Sequence, residues 1–565
     1  MATTFEKHAA SGAADSSAAR RTAPQSPDGR SGRRQRRPSL VVNAISNWAG
    51  LSVSVIVGFL LTPFVIAHLG QSGYGIWTLV GSIIGYYGLL DMGVGSAVTR
   101  YVARHAGRKD EQALNETLAA AVLLFGAIGL TIIVLVALTA RLLAEFFHVQ
   151  PEQIPAFRQA LMLLSVSTAI NLLSQVYRAT IRAYEHFVIR NCVTIAGTLL
   201  RAGLTVWLLS RGLELTALAG SYVVTEAVTL VIQVLTLRRL VPAARLNLQL
   251  ARMSTVKTLV LYGLSTSVVT VSGIILYHLD SVVVGRVINL EAVAVFGVAT
   301  VLMRYYDQVL FSATGVLTPR FARLQGEGGL DCLRDLLVRS VWASSVLSFG
   351  VGLLLITLGQ SFITVWIGPQ FKPAAQIVVV LVTAASFALA QYPAVMALYA
   401  TNNHYILAVA RVAEAVCNLS LSIFLAYRVG IIGVALGTMI PSLIFRVLIQ
   451  PLYVTRILGL GLWSYTTPVV AAAGAALAAL VTWNQWLAPA NEPASLWGCI
   501  VAGLQVSALY AVWLVAVAGW SWRGRFAAGR AARPGSGNGA GPAPERDTEP
   551  VSGPQSCASL SHKGE

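Results

Sequence analysis

Long apolar runs separated by short polar breaks fill the chain from Leu40 to Trp522. A helix needs roughly 20 mostly apolar residues to cross a bilayer, and each run is about that long. Fourteen runs lie near residues 41–68, 73–98, 114–140, 157–180, 188–210, 215–237, 258–288, 291–317, 336–358, 374–399, 405–428, 431–454, 466–486 and 496–520. The pattern predicts an all-α membrane protein of about 14 transmembrane helices. The first and seventh runs exceed what a bilayer needs, so they tilt or bend, and Pro63 with nearby glycines permits a bend.

Composition agrees with the pattern. Of 565 residues, 55% are hydrophobic and 12% charged, with mean hydropathy +0.67. A soluble chain would be about 25% charged. The formal net charge of +17 needs a separate explanation. Much of it sits in the Arg-rich stretch before Leu40 and in alternate connections between the apolar runs. Those connections carry Arg100, Arg104, Arg108 and Lys109, then Arg178, Arg182 and Arg190, then Arg238, Arg239, Arg245, Arg252 and Lys257. Such asymmetry reports topology and attraction to anionic membrane lipid, and it does not call for nucleic acid. The basic side is expected to be cytoplasmic, which places both termini there for an even number of spans. Residues 1–39 and 521–565 are polar, rich in Arg, Ser, Gly or Pro, and read as a disordered leader and tail.

A repeat emerges when the halves are laid over each other. Val98-Thr99-Arg100-Tyr101-Val102-Ala103-Arg104 matches Leu317-Thr318-Pro319-Arg320-Phe321-Ala322-Arg323 at a shift of 219 residues. His186-Phe187 matches His404-Tyr405 at a shift of 218, as Gly212 matches Gly430. Two parallel six-helix repeats follow as the expectation. They comprise an N-lobe over 40–239 and a C-lobe over 258–456, joined by a cytoplasmic linker at 240–257. Two extra helices lie within 466–520. Two facing lobes enclose a cavity that opens to one side at a time.

The stretch from Leu69 to Leu118 reads LGQSGYGIWTLVGSIIGYYGLLDMGVGSAVTRYVARHAGRKDEQALNETL. Its YG-I-W, GLLD-x-G and RYVA elements, and the charged segment with its Asn-Glu pair, resemble one transporter branch. This is the polysaccharide transporter branch of the multidrug/oligosaccharidyl-lipid/polysaccharide exporter superfamily. The resemblance implies an inner-membrane flippase of undecaprenyl-diphosphate-linked oligosaccharide serving O-antigen, capsule or exopolysaccharide synthesis. It also implies a cavity lined by spans one, two, seven and eight, and leaves room for partners among the polysaccharide polymerase machinery.

Charges within spans are the candidate functional groups, because each costs about 2.5–3.5 kcal/mol at the bilayer centre unless it is paired or wetted. A diphosphate calls for arginine, whose planar fork bonds phosphate oxygens bidentately. Arg304, in span eight, is the leading phosphate contact, followed by Arg201, Arg411 and Arg446. Arg304 with Asp307, and Arg411 with Glu414, stand three residues apart, so each couple is equally able to pair with itself. Asp91, Asp280 and Asp307 are candidates for ion coupling or gating, with structural pairing as the alternative. His278 beside Asp280 is a proton relay or an interhelical hydrogen-bond partner. Asn43 and Asn47 are candidate sugar contacts. Trp48, Trp77, Trp366, Trp463, Trp497 and Trp520 are expected in the interfacial belt.

The chain carries no P-loop, HExxH or GxSxG, and its five scattered cysteines form no CxxC. Neither an enzyme, a metal site nor a cofactor is expected. The competing readings are a drug or cation antiporter of the same superfamily, a polysaccharide polymerase or ligase, and a peptidoglycan-precursor flippase.

Overall fold

The computed structural model describes residues 40–531, except 92, 316, 327–328, 402–404 and 488–492; within helices it leaves the side chains of 40–45, 47, 91, 265–277, 318–319, 326, 405, 408 and 518–531 undescribed. The leader and most of the tail, and the side chains of Asn43, Asn47, Asp91 and Trp520, thus lie outside the described residues.

The chain runs through α1 (Leu40–Tyr87), α2 (Val94–Arg108), α3 (Glu111–Phe146), α4 (Ile154–Ala183), α5 (Phe187–Ser210) and α6 (Leu215–Leu240). It continues through α7 (Met253–Val287), α8 (Leu290–Thr314), α9 (Leu317–Gly326), α10 (Leu330–Ile367), α11 (Pro373–Ala390) and α12 (Tyr392–Ala400). Then come α13 (Tyr405–Val429), α14 (Ile431–Leu443), a π turn (Ile444–Ile449), α15 (Gln450–Leu458), α16 (Leu462–Thr482) and α17 (Leu496–Ala531). Among the described residues, twelve helices are long and apolar enough to cross a membrane. Their outer faces carry bare apolar side chains such as Leu138, Leu142 and Leu448, as a lipid-facing surface requires. The protein is a multi-pass membrane protein.

The helices match the apolar runs with informative departures. The first of the twelve, Trp48–Leu90, covers the first two expected spans. Gly70 breaks it with φ 67° and ψ 178°, a conformation open almost only to glycine. The second span does not continue to 98. It gives way to a 3₁₀ turn at Gly88–Asp91 and restarts as α2 after Gly93, which is left-handed at φ 69°. The seventh expected span lies in α7, which is not among the twelve. Side-chain caps set two helix starts: Asp110 Oδ1 accepts from the Ala113 N–H at 3.0 Å, and Asn289 Oδ1 from the Ala292 N–H at 2.7 Å.

Helices from the two halves of the sequence meet through α1. It packs on α5 within its own half and on α7 and α8 across it. Glycine permits the closest approach: a Cβ on Gly75 would overlap the Leu290 carbonyl, and one on Gly58 the Tyr305 hydroxyl. A second link is polar. Pro63 has no N–H, so the carbonyl four residues earlier, on Phe59, loses its helical donor. The Trp366 indole N–H donates to that carbonyl at 3.0 Å, and its ring stacks on Phe59 with centroids 4.9 Å apart. Trp366 is thus 7% exposed and stapled to α1 rather than placed in the interfacial belt. On the connector between the halves, the Asn115 side chain accepts from the Arg245 N–H at 2.7 Å, and Glu116 pairs with Arg252 at 3.3 Å.

Replacing Trp366 by Phe keeps an aromatic ring but strands the Phe59 carbonyl. The expected loss is about 1–3 kcal/mol of stability, read as a lower unfolding midpoint in detergent. In a Pro63→Ala background, where a backbone N–H returns, the same substitution should cost markedly less. Equal losses in both backgrounds would show that the proline-orphaned carbonyl is not what Trp366 serves.

Candidate functional site

A cavity with a volume of about 730 Å³ is walled by α1, α4, α5, α6, α7 and α8. Its floor is built from small and hydroxylated residues, among them Ser54, Thr78, Ser167, Thr198 and Thr300. Most of these hydroxyls lie on long apolar helices, where Ser and Thr can satisfy themselves on the carbonyl one turn earlier. Thr198 does so at 3.0 Å and Ser82 at 3.0 Å. That makes a wettable wall in which such hydroxyls are already satisfied.

The charged lining residues are Arg201, Arg304 and Glu226, with His278 beside them. Two of the expected phosphate contacts are therefore brought together in one chamber, from α5 and α8. Arg304 is exposed to the chamber and acts electrostatically on Tyr74, Tyr305 and His278. The Arg201 guanidinium lies 4.7 Å over the Tyr222 ring, and Trp77 packs on the same ring at 5.3 Å. A cation held on an aromatic face keeps its donors available at the rim. Among the described residues neither guanidinium has a carboxylate at ion-pair distance, so the Arg304–Asp307 couple foreseen from spacing is not formed. Glu226 instead accepts from the Asn171 amide at 3.0 Å, and the Asn171 side-chain oxygen accepts from Arg178 at 3.1 Å. That ties the one cavity carboxylate into the wall. The chamber is left with a surplus of positive charge in low-dielectric surroundings.

With this geometry in view, the relatives become informative. The sequence family described as polysaccharide biosynthesis protein matches residues 55–376, more than half of the chain. The chain belongs to that family. It is 23% identical over 493 residues to the uncharacterized membrane protein EpsK of Bacillus subtilis (strain 168), covering 83% of this chain and 94% of the relative. It is 21% identical over 422 residues to a putative O-antigen transporter of Shigella flexneri, covering 74% of this chain and 98% of that one. Among solved structures it resembles a lipid II flippase in an inward closed conformation, with TM-score 0.65 and 13% identity over 84% of this chain and 99% of that one. It also resembles an inward-facing multidrug resistance transporter, with TM-score 0.63 and 14% identity over 74% and 98%. These likenesses show a fold shared with the lipid II flippase and the multidrug resistance transporter.

The family-like motif now has physical roles. Tyr74 and Trp77 of YG-I-W line the chamber, and Gly75 between them lets α1 seat on the α8 entrance. Trp77 therefore belongs to the cavity and not to the interfacial belt, whereas Trp463 and Trp497, 79% and 73% exposed, remain on the outer surface. Arg100 and Tyr101 of RYVA close on Tyr262 of α7, the guanidinium 4.7 Å from the ring centre.

The other expected site residues lie elsewhere. Arg411 and Arg446 form a separate cluster around Glu414, at 3.7 and 3.2 Å. Asp280 is buried between α7, α13 and α14, where Oδ2 accepts from Thr438 at 2.7 Å and Oδ1 has no hydrogen-bond partner. His278, two residues earlier on the helix, faces the chamber instead, its ring 5.9 Å from Tyr86. Asp307 is half-buried on α8 and is not among the cavity-lining residues. Sequence spacing missed Asn171 and Tyr222 as chamber walls, because nothing local signals that α4 and α6 converge on α5.

A wetted chamber has a direct signature. In a background without the native cysteines, Ser54→Cys and Thr300→Cys should react with a charged maleimide in permeabilised membranes. Leu138→Cys, on the lipid-facing surface, should stay unlabelled. Protection of both cavity positions in every preparation would mean that the chamber is dry.

Proposed function

We propose that this protein is a flippase that moves an undecaprenyl-diphosphate-linked oligosaccharide from the cytoplasmic to the outer leaflet of the bacterial inner membrane by alternating access. The reading rests on one observation: a single chamber holds Arg201 and Arg304, neither with a carboxylate at ion-pair distance among the described residues, within aromatic and hydroxylated walls. A diphosphate leaving water must keep its charge matched, and two arginines offer charge-assisted, bidentate donors for it. Tyr222, Trp77 and the Ser and Thr residues provide ring faces and hydroxyls suited to sugar. A volume of about 730 Å³ falls within the roughly 300–1,000 Å³ of small-molecule sites, enough for the diphosphate and its first sugars. Family membership and the O-antigen transporter relative support the same class of cargo. The antiporter alternative fits less well, since a cationic drug would meet two arginines against one wall-bound carboxylate.

In this scheme both termini face the cytoplasm, and the polymerase machinery receives the product outside. Asp280 is the coupling or gating carboxylate, because a buried acid with one unpartnered oxygen gains from taking a proton or a small cation. Asp91 and Asp307 remain proposals for the same role.

Deletion of the gene should cause lipid-linked oligosaccharide to accumulate facing the cytoplasm while surface glycan falls. The intact gene should restore export, whereas Arg304→Gln, inserted at normal levels, should cut it by about 10- to 100-fold, the loss of one charge-assisted contact worth about 1.5–3 kcal/mol. Unchanged lipid-linked pools after deletion, or full export by Arg304→Gln, would refute the scheme. In reconstituted vesicles, Asp280→Asn should remove the response of flipping to an imposed proton or sodium gradient, and an unaltered response would release Asp280 from the coupling role.

A further inference from the structure

A second cationic cluster stands apart from the chamber, and it is built differently. Arg446 sits in the π turn between α14 and α15 and is 3% exposed. Its terminal nitrogens are engaged: one donates to Gln450 Oε1 at 2.8 Å and the other to Glu414 Oε2 at 3.2 Å. Its Nε is buried without a partner. Glu414 is shared, since Arg411 also approaches it at 3.7 Å. One carboxylate between two guanidiniums leaves the cluster at a formal +1.

The scaffold around the cluster is over-determined. In the π turn the donor five residues beyond Arg446 is Pro451, which has no N–H. Gln391 supplies the missing donor to the Arg446 carbonyl at 2.8 Å. Gln450 in turn donates to the Gln391 carbonyl at 3.3 Å, and the Tyr465 hydroxyl to Gln391 Oε1 at 3.0 Å. Helices α11, α15 and α16 thus fix the Arg446 backbone and its head group, while the Arg411 side chain stays 29% exposed.

A narrow cleft of about 20 Å³ lies against these groups, with Ile406 and Ile449 at its border. That is room for one oxygen-sized body. The border side chains are 51% and 39% exposed on a membrane-spanning surface, where lipid rather than water covers them. Arg411 lies six residues into α13, about 9 Å along the axis, which is within reach of the headgroup region for a long, snorkelling side chain.

We infer that Arg411 and Arg446 form a second anion site, outside the transport chamber, that takes a phosphate oxygen of a membrane lipid between them. Glu414 partly neutralises the pair and holds the two guanidiniums in register. The tails of the lipid lie along Ile406 and Ile449. The site is independent of what the chamber carries.

The test uses the full-length protein purified in detergent, with bound lipid counted by native mass spectrometry after addition of phosphatidylglycerol, diacylglycerol with the same tails, or inorganic phosphate. The protein should retain phosphatidylglycerol over diacylglycerol, and Arg411→Gln should lower that retention at least tenfold while the unfolding midpoint stays near that of the parent. Arg304→Gln should leave retention intact. Equal retention of the two lipids, or no loss in Arg411→Gln, overturns the inference. Loss in Arg304→Gln alone assigns the lipid to the chamber and also overturns it. Inorganic phosphate that binds and displaces the lipid at submillimolar concentration makes the occupant a free anion, which overturns the lipid assignment.

Discussion

In hydrocarbon, a backbone carbonyl without a donor costs several kcal/mol, and this constraint ties distant helices together at two prolines of the protein. A proline within or just after a turn removes one donor, and the freed carbonyl must find another. At Pro63 the donor is the Trp366 indole from α10, and at Pro451 it is the Gln391 amide beside α12. Each repair joins elements distant in sequence. The proline that interrupts the α1 hydrogen-bond ladder therefore also ties it to a helix more than 300 residues away. A carbonyl satisfied by a side chain from another helix makes a joint, because its bond persists only while the two helices keep their relation.

The chamber depends on the same economy applied to charge. Cationic side chains within the membrane persist when paired, solvated or stacked. Arg201 is stacked on Tyr222, and Arg304 looks into open volume. The potential carboxylate partner, Glu226, is held back by Asn171, which is itself ordered by Arg178. A wall amide thus keeps the anion from quenching the cations. Had Glu226 reached Arg201, that guanidinium would be paired and only Arg304 would face the open volume unengaged.

Much of the fold was legible in the sequence because bilayer thickness sets a length scale that apolar runs must meet. The break at Gly70 and the end of α1 near Gly88 were harder to place: glycine permits a break without requiring one, and the apolar run continues through it. The chamber residues split by the same logic. Arg201 and Arg304 could be singled out as intramembrane cations, but their meeting depends on how α5 and α8 face each other, which no local spacing encodes. Helical spacing did suggest the Arg411–Glu414 pair, which forms, and Arg304–Asp307, which does not. The third member, Arg446, arrives from a π turn 32 residues away from Glu414. Trp77 and Trp366 looked like belt residues because they lie near run ends, yet a helix end that meets another helix is interior rather than interface.

The two arginine groups show why a count of intramembrane charges does not identify a site. Both satisfy the rule that such charges are paired, stacked or wetted, but they meet it in opposite ways. Arg411 and Arg446 share a carboxylate and a rigid amide network, so any ligand there must fit a fixed geometry and compete with Glu414. Arg201 and Arg304 face open volume, and the carboxylate in the same lining, Glu226, is held by Asn171, so in the proposed scheme they can follow a moving phosphate. A transport site needs that freedom, because its ligand must leave as well as enter; a site of fixed geometry suits a ligand that stays. The difference lies in the surroundings of each guanidinium, and only the assembled helices reveal it.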